Sequence, residues 1–332
     1  MAASRRFKIL AAGGAVAGAA VAAAAVAAPA LRREARRLTR LARPIGPAPP
    51  GSPVPPPLPS GRVLDLPGRG ETFVRDTGAT RGAAPPVLLL HGWTVSADLN
   101  FFAVYPELAD RHRVIALDHR GHGRGLRART PFSLEDCADD AAALLAELGV
   151  DRPAVVVGFS MGGPIAMLLH HRHPELVAGM VFCGTALEWK ESAREQLLWR
   201  GVSLLEVALR SGTGEGIVAR VLREVVDGSP ELAALEPWVR GEFHRGYPPD
   251  LAGAGRALAG YDGRPLAGAA DVPCAVVVTT SDQLVRPEKQ YALADALSAE
   301  TFTLDGDHFA PFNRGPAFAK AIGAAVDSVN TR

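Results

Sequence analysis

Cysteine is scarce in this chain. Cys137, Cys183 and Cys274 are the only three in 332 residues, an odd number at long spacings. No CxxC pair and no other metal-ligand spacing occurs, so neither a disulfide framework nor a zinc motif is readable. Two of the three lie in or beside apolar runs, and all three read as buried free thiols behaving as small hydrophobes. Net charge is also lacking. The formal value is +1, which gives the whole chain no bias toward nucleic acid. No internal repeat is present, which sets aside solenoids and propellers. What remains is 48% hydrophobic and 21% charged, the balance of a globular protein with a sizeable core. The length suits one large α/β domain with an insertion, or two ordinary domains.

The charge that exists is unevenly spread. Residues 9–31 carry none and are built largely from Ala, Val and Gly, and arginines crowd both sides. About 20 apolar residues span a bilayer as a helix. Three readings stay open for residues 1–43. One is a retained membrane helix. The second is a cleaved secretory signal with Arg5, Arg6 and Lys8 as its basic start and Ala28-Pro29-Ala30 as its cleavage site. The third is a twin-arginine signal around Ser4-Arg5-Arg6-Phe7-Lys8, one residue short of the motif. Arg32, Arg33, Arg36, Arg37, Arg40 and Arg43 follow the apolar run directly. Such a cluster resists translocation, which favours a retained anchor with the remainder of the chain on the cytoplasmic side; export after cleavage is the alternative. Residues 44–60 are proline-rich and read as a semi-rigid linker.

From residue 61 onward, strand and helix patterns alternate. Residues 62–66 and 72–76 predict an opening hairpin. Segments 87–90, 113–117, 154–157, 177–183 and 274–279 are short apolar runs, the mark of strands buried on both faces, and 301–304 completes the series. Helices are predicted over 133–148, 162–173, 287–297 and 311–326, the first with Ser133 and Asp136 at capping-box spacing. The alternation implies an α/β fold, a mostly parallel sheet with helices on both faces. It fails between residues 186 and 270, which hold helical stretches (192–209, 216–226) and Pro- and Gly-rich joints but no strand-like run. That stretch is expected to be a helical cap inserted into a core formed by 61–185 and 271–329.

The chemistry concentrates at sheet edges. Gly158-Phe159-Ser160-Met161-Gly162 follows a buried strand and precedes an apolar helix. In G-x-S-x-G a serine projects from a strained strand-to-helix turn, and the flanking positions come too close for side chains. Pro164 suits the first helical turn. A serine hydroxyl needs a base to become a nucleophile. His308 lies just after the last strand, and Asp282 just after the strand before it. Strand C-termini share one edge of a doubly wound sheet, so these loops can meet Ser160. Asp282 is the expected orienter of His308. Asp307 is adjacent to the histidine, and because neighbouring side chains diverge it is a poor orienter; Asp305 reads as a turn residue, and Glu188, after the 177–183 strand, is the real rival. The backbone N–H groups of Met161 and Trp93 are the expected oxyanion donors. His91 reads as a structural residue holding that loop. Gly121, Gly123 and Gly125 lack a following phosphate-binding helix, and His170, His171 and His173 read as helix-end dipole partners rather than metal ligands.

His91-Gly92-Trp93, Asp118-His119-Arg120-Gly121-His122-Gly123, residues 158–163, Asp282 with Leu284, Val285 and Pro287, and Gly306 with His308 occur in one order. In that order they resemble the α/β-hydrolase superfamily over roughly residues 63–326. The family often has a serine near Gly125 and this chain does not. The Ala-rich segment with its Arg-rich flank resembles membrane-attached members from high-GC bacteria. The resemblance implies hydrolysis of a carboxylic ester or related acyl bond through Ser160, without cofactor or metal. A perhydrolase or haloperoxidase on the same three residues is the enzyme alternative, and a ligand-binding protein is the non-enzymatic one. Epoxide and haloalkane hydrolysis are disfavoured, because those branches have an aspartate where Ser160 stands. The apolar cap residues Leu197, Leu198, Trp199, Leu204, Leu205, Trp238 and Phe243 suggest an apolar small-molecule substrate, and packing of the cap onto the body is the alternative use of the same residues.

Overall fold

The computed structural model describes residues 56–78, 84–128, 130–190, 195–196, 199, 230–243 and 245–330. The expected anchor (1–43) and most of the linker lie outside these residues. So do most of the helix expected over 192–209 and all of that over 216–226. No helix among the described residues is long and apolar enough to cross a membrane.

Eight strands form one sheet in the order β1-β2-β4-β3-β5-β6-β7-β8. They are β1 (Gly61–Leu66), β2 (Gly70–Asp76), β3 (Val87–Leu90), β4 (Val114–Leu117), β5 (Ala154–Phe159), β6 (Val177–Cys183), β7 (Cys274–Thr279) and β8 (Glu300–Leu304). β2 runs antiparallel to both neighbours, and every other pairing is parallel. The helices are α1 (Ala97–Phe101), α2 (Val104–Ala109), α3 (Leu134–Glu147), α4 (Gly162–Arg172), α5 (Pro230–Phe243), α6 (Pro248–Gly260), α7 (Arg264–Ala267), α8 (Pro287–Ala296), α9 (Ala310–Asn313) and α10 (Gly315–Asn330).

The uninterrupted apolar runs have a simple cause. Successive strand residues point to opposite faces, and both faces are covered. Leu88, Leu90, Val156 and Val276 enter the core under α3, α4 and α8. Leu89, Val155, Val157 and Val277 enter the core under α1, α2 and α10. β5 sits between β3 and β6, so its C-terminal end opens at the middle of the sheet edge. α4 continues directly from it and is buried from Gly162 to His170, as a helix apolar on all sides must be.

The structure departs from the sequence expectations in several places, α5, α6 and α7 among them, since only 192–209 and 216–226 were expected to be helical in that part of the chain. α1 and α2 were not anticipated, because five or six residues are too few to display a 3.6-residue period. The last predicted helix is two, since Arg314 (φ −134°, ψ 27°) leaves the helical path between α9 and α10. The capping box of α3 is half realised. Ser133 Oγ accepts the Asp136 N–H at 3.0 Å, but the Asp136 carboxylate turns to Arg120 at 2.9 Å instead of reaching back.

Candidate active site

Ser160 follows β5 in the left-handed region, φ 51°, a conformation that costs a non-glycine residue about 1–3 kcal/mol. The surrounding backbone holds it there, with the Ser160 N–H donating to Cys183 O at 2.9 Å. The turn is tight enough to demand its glycines. A Cβ on Gly158 would meet Gly162 O at 2.4 Å, and one on Gly162 would meet Leu90 O at 2.0 Å. No side chain fits either position.

The loops after β7 and β8 converge on this serine. They are tied to each other by the Thr280 N–H on Leu304 O and the Ser281 N–H on Gly306 O, both 3.0 Å. His308 Nδ1 lies 2.8 Å from Asp282 Oδ2, and His308 Nε2 lies 3.1 Å from Ser160 Oγ. An ionised carboxylate only accepts, so Nδ1 carries the ring proton and Nε2 offers its lone pair to the serine hydroxyl. Asp282 is fully buried and saturated: Oδ1 accepts the N–H groups of Leu284 and Val285 at 2.8 and 2.9 Å, and Oδ2 also accepts Thr279 Oγ1–H at 3.0 Å. Gln290 in turn holds Thr279 from α8, donating to its hydroxyl at 2.9 Å and accepting its N–H at 3.0 Å. The ring of Phe159 stacks 5.1 Å from that of His308.

The rival acids are engaged elsewhere. Glu188 pairs with Lys289 at 2.6 Å. Asp307 accepts the Phe309 N–H at 2.9 Å and the Asn313 amide at 3.0 Å, facing away from the neighbouring imidazole.

The loop after β3 closes over the serine. A Cβ on Gly92 would lie 3.2 Å from Ser160 Cβ. Asn100 Oδ1 accepts the Gly92 N–H at 2.7 Å, and Trp93 Nε1–H donates to Leu251 O on α6 at 2.7 Å. Among the described residues, no acceptor engages the backbone N–H of Trp93 or of Met161. His91 is fully buried. Its Nε2 accepts the His119 N–H at 2.8 Å, so its Nδ1 must be the protonated nitrogen, donating to Gly92 O at 2.7 Å. Burial pushes this imidazole down to about 4, so it is neutral and structural, as expected.

Behind the loop lies a buried ionic network. Asp98 receives Arg75 through two bonds of 2.7 Å and Arg124 through one of 2.7 Å. Burial alone would raise the Asp98 carboxyl, but the two guanidinium groups more than offset it and hold it below the ordinary range. Ser96 Oγ, the cap of α1, donates to Glu242 Oε2 on α5 at 2.9 Å. α5 is thereby bonded to the start of the helix that carries Asn100.

Over Ser160 is a cavity of about 280 Å³ lined by Trp93, Val95, Phe159, Trp189, Trp199, Phe243, Leu258, Phe309 and Phe312, among others. Trp199 stacks between Trp93 (5.7 Å) and Trp189 (6.2 Å, edge-on). Of the apolar cap residues singled out from sequence, Trp199 and Phe243 line this cavity. Trp238 does not line it but packs edge-on against Phe102 (5.8 Å), in the apolar cluster that also holds Phe243, and Leu197, Leu198, Leu204 and Leu205 lie outside the described residues. Asn100, Thr279 and Gln290 escaped the sequence reading. The one available signal was a polar Thr279 ending an apolar strand three residues before Asp282. His170 and His173 pair with Asp271 (3.0 Å) and Asp139 (2.9 Å). All three cysteines are free and buried.

Residues 85–211 match the family model described as alpha/beta hydrolase fold. A putative non-heme haloperoxidase of Mycobacterium phage D29 is 31% identical over 245 residues, covering 69% of this chain and 83% of that protein. This chain belongs to the α/β-hydrolase family. A second α/β-hydrolase relative, the pimeloyl-acyl-carrier-protein methyl ester esterase of Chromobacterium violaceum, is 32% identical over 207 residues, 62% of this chain and 79% of that one. The fold recurs in a thermophilic esterase from Thermogutta terrifontis (TM-score 0.67, 24% identical, 82% of this chain and 99% of that one). It recurs also in the enol-lactonase from Burkholderia xenovorans (TM-score 0.69, 24% identical, 80% of this chain and 100% of that one).

Proposed function

We propose that this α/β-hydrolase cleaves a carboxylic ester of a small, largely apolar substrate through an acyl-enzyme on Ser160. The observation that carries the reading is the unbroken hydrogen-bonded sequence from Ser160 Oγ through His308 to Asp282, on the floor of an apolar cavity. His308 Nε2 takes the hydroxyl proton as Oγ attacks the ester carbonyl. Asp282 keeps the ring in the productive tautomer and stabilises the imidazolium that forms. The N–H groups of Met161 and Trp93 receive the oxyanion. His308 then passes its proton to the leaving alcohol, and water, activated by the same ring, releases the acid. The cavity is at the small end of the range for ligand sites, which suits a compact ester. Residues 186–270 serve as the cap over this cavity, and residues 1–43 hold the core at the cytoplasmic side of a membrane.

The test is labelling of the full chain with a fluorophosphonate probe, alongside turnover of aryl esters of increasing acyl length. Wild type should label and favour short esters, and Ser160→Ala should do neither while keeping its circular-dichroism spectrum. Labelling retained in that variant removes the assignment. The haloperoxidase-named relative supports a second reading, in which peroxide replaces water in deacylation. Peroxide-dependent halogenation exceeding ester hydrolysis would favour it. Mass analysis of the mature N-terminus tests the anchor.

A further inference from the structure

The loop after β3 takes its position from α1, a five-residue helix too short to hold together by itself. What fixes the start of α1 comes from outside it. Asp118 Oδ1 accepts the Ala97 N–H at 2.8 Å, and Ser96 Oγ accepts the Leu99 N–H at 3.4 Å. The Ser96 hydroxyl can offer its oxygen to Leu99 only if its single proton points elsewhere. Glu242 Oε2, 2.9 Å away on α5, takes that proton. The same oxygen accepts an Arg124 Nη2–H at 3.3 Å, and the Arg245 Nε–H donates to Oε1 at 2.9 Å. Arg124 Nη2 also reaches Asp98 Oδ2 on α1 at 2.7 Å. Ser96 and Glu242 are both buried. An apolar contact runs beside the polar one, since Leu99 of α1, Val239 of α5 and Phe312 of α9 belong to one buried cluster. One turn after Ser96, Asn100 accepts the Gly92 N–H at 2.7 Å.

We propose that Glu242 is a positioning residue for ester hydrolysis, through which α5 firms the oxyanion hole. The inference rests on the reading of Trp93 and Met161 as oxyanion donors. Its line of action is short. Glu242 orients the Ser96 hydroxyl, and Ser96 caps α1. α1 carries Asn100, and Asn100 holds the Gly92 peptide next to Trp93. An oxyanion hole works by being in place before charge develops, so a donor held loosely loses much of its effect. α5 belongs to residues 186–270, the proposed cap. The segment read as covering the substrate therefore also steadies the group that stabilises the transition state, although Glu242 acts through Ser96 and not on the substrate. A tie that merely fastened α5 to the core would alter stability or KM and leave kcat alone.

The experiment measures kcat and KM of the full chain and its variants on a short para-nitrophenyl ester, with fluorophosphonate labelling rates beside them. Glu242→Ala should lower kcat by about tenfold or more and move KM by less than about threefold. Labelling should slow in parallel, since the phosphonyl oxygen needs the same donors. Ser96→Ala should behave alike. The double variant should fall no lower than the worse of the two, because both break one link. Glu242→Gln still offers Ser96 an acceptor and should recover most of the lost kcat, although its pairing with the arginines is gone. A folded Glu242→Ala with wild-type kcat overturns the proposal. So does one in which only KM rises, and so do single losses that multiply in the double variant. Should Glu242→Ala fail to fold, an unchanged kcat in Ser96→Ala overturns it alone. Asn100→Ala separates this inference from its foundation. Wild-type kcat in that variant removes the oxyanion-loop reading and this inference with it, whereas a lowered kcat there beside an unaffected Glu242→Ala removes only the role of Glu242.

Discussion

Acid should destabilise this protein early, well above the pH at which carboxylates begin to protonate. Three imidazoles, His91, His119 and His122, are fully buried behind the oxyanion loop, with ring centroids 4.3 and 5.5 Å from that of His91. Burial disfavours the imidazolium form. It pushes His91 down to about 4 and His122 to about 3, and it holds His119 well below the usual histidine value. In the unfolded chain each ring takes a proton near 6.5. Between that pH and the folded values, the unfolded state therefore binds more protons, and lowering the pH favours unfolding. The stability these rings permit is fully present above pH 6.5 and is lost progressively below it. One ring neutral when folded and protonated when unfolded contributes about 1.4 kcal/mol per pH unit. At pH 5 that is about 2 kcal/mol each for His91 and His122, about 4 kcal/mol together, a large part of the 5–15 kcal/mol typical of a folded protein, and His119 adds in the same direction. Asp118 and Asp250, raised by burial, act in the opposite sense. Urea unfolding followed by circular dichroism at half-unit steps from pH 7.5 to 5 measures the slope. A free energy of unfolding that stays flat or rises between pH 6.5 and 5 refutes the reasoning. His122→Phe should reduce the slope by about a third, whatever it does to absolute stability.

Further expectations concern the site and its frame. Asp282→Asn, measured by steady-state ester hydrolysis, should lower kcat by about 10⁴ with little change in KM, because the neutral amide can hold His308 in the wrong tautomer; a loss below tenfold would argue against its role. Asn100→Ala should lower kcat more than it raises KM, since the Gly92 N–H loses its acceptor and the adjacent Trp93 amide loses its position. The orphaned buried donor costs about 1–3 kcal/mol, readable as a lower urea midpoint. Gly162→Ala places a Cβ 2.0 Å from the Leu90 carbonyl oxygen, so it should cost about 1–3 kcal/mol or more and lower the melting temperature by several degrees, in a calorimetric scan.

What was legible in the sequence and what was not divide along sequence separation. The fully apolar runs announced the central strands, because a strand covered on both faces has no polar side to display. Gly158 and Gly162 announced the turn at Ser160, because no other residue fits the backbone contacts that turn makes. Both signals are local. The contest between Glu188 and Asp282 was not local, since each follows a strand whose C-terminal end faces the same edge. Partners far along the chain decide it. Glu188 is held by Lys289, 101 residues later, and that ammonium is shared with Glu195. Asp282 instead has one oxygen filled by the two amides that follow it, which leaves the other directed at His308. The same holds for the oxyanion loop. His91-Gly92-Trp93 is plain in the sequence, but its stiffness comes from Asn100 on a five-residue helix without periodicity, and from Ser96 reaching Glu242 across 146 residues. Motifs thus disclosed which groups come together at the sheet edge. The ionic and hydrogen-bonded partners that orient those groups arise only when distant segments are packed together.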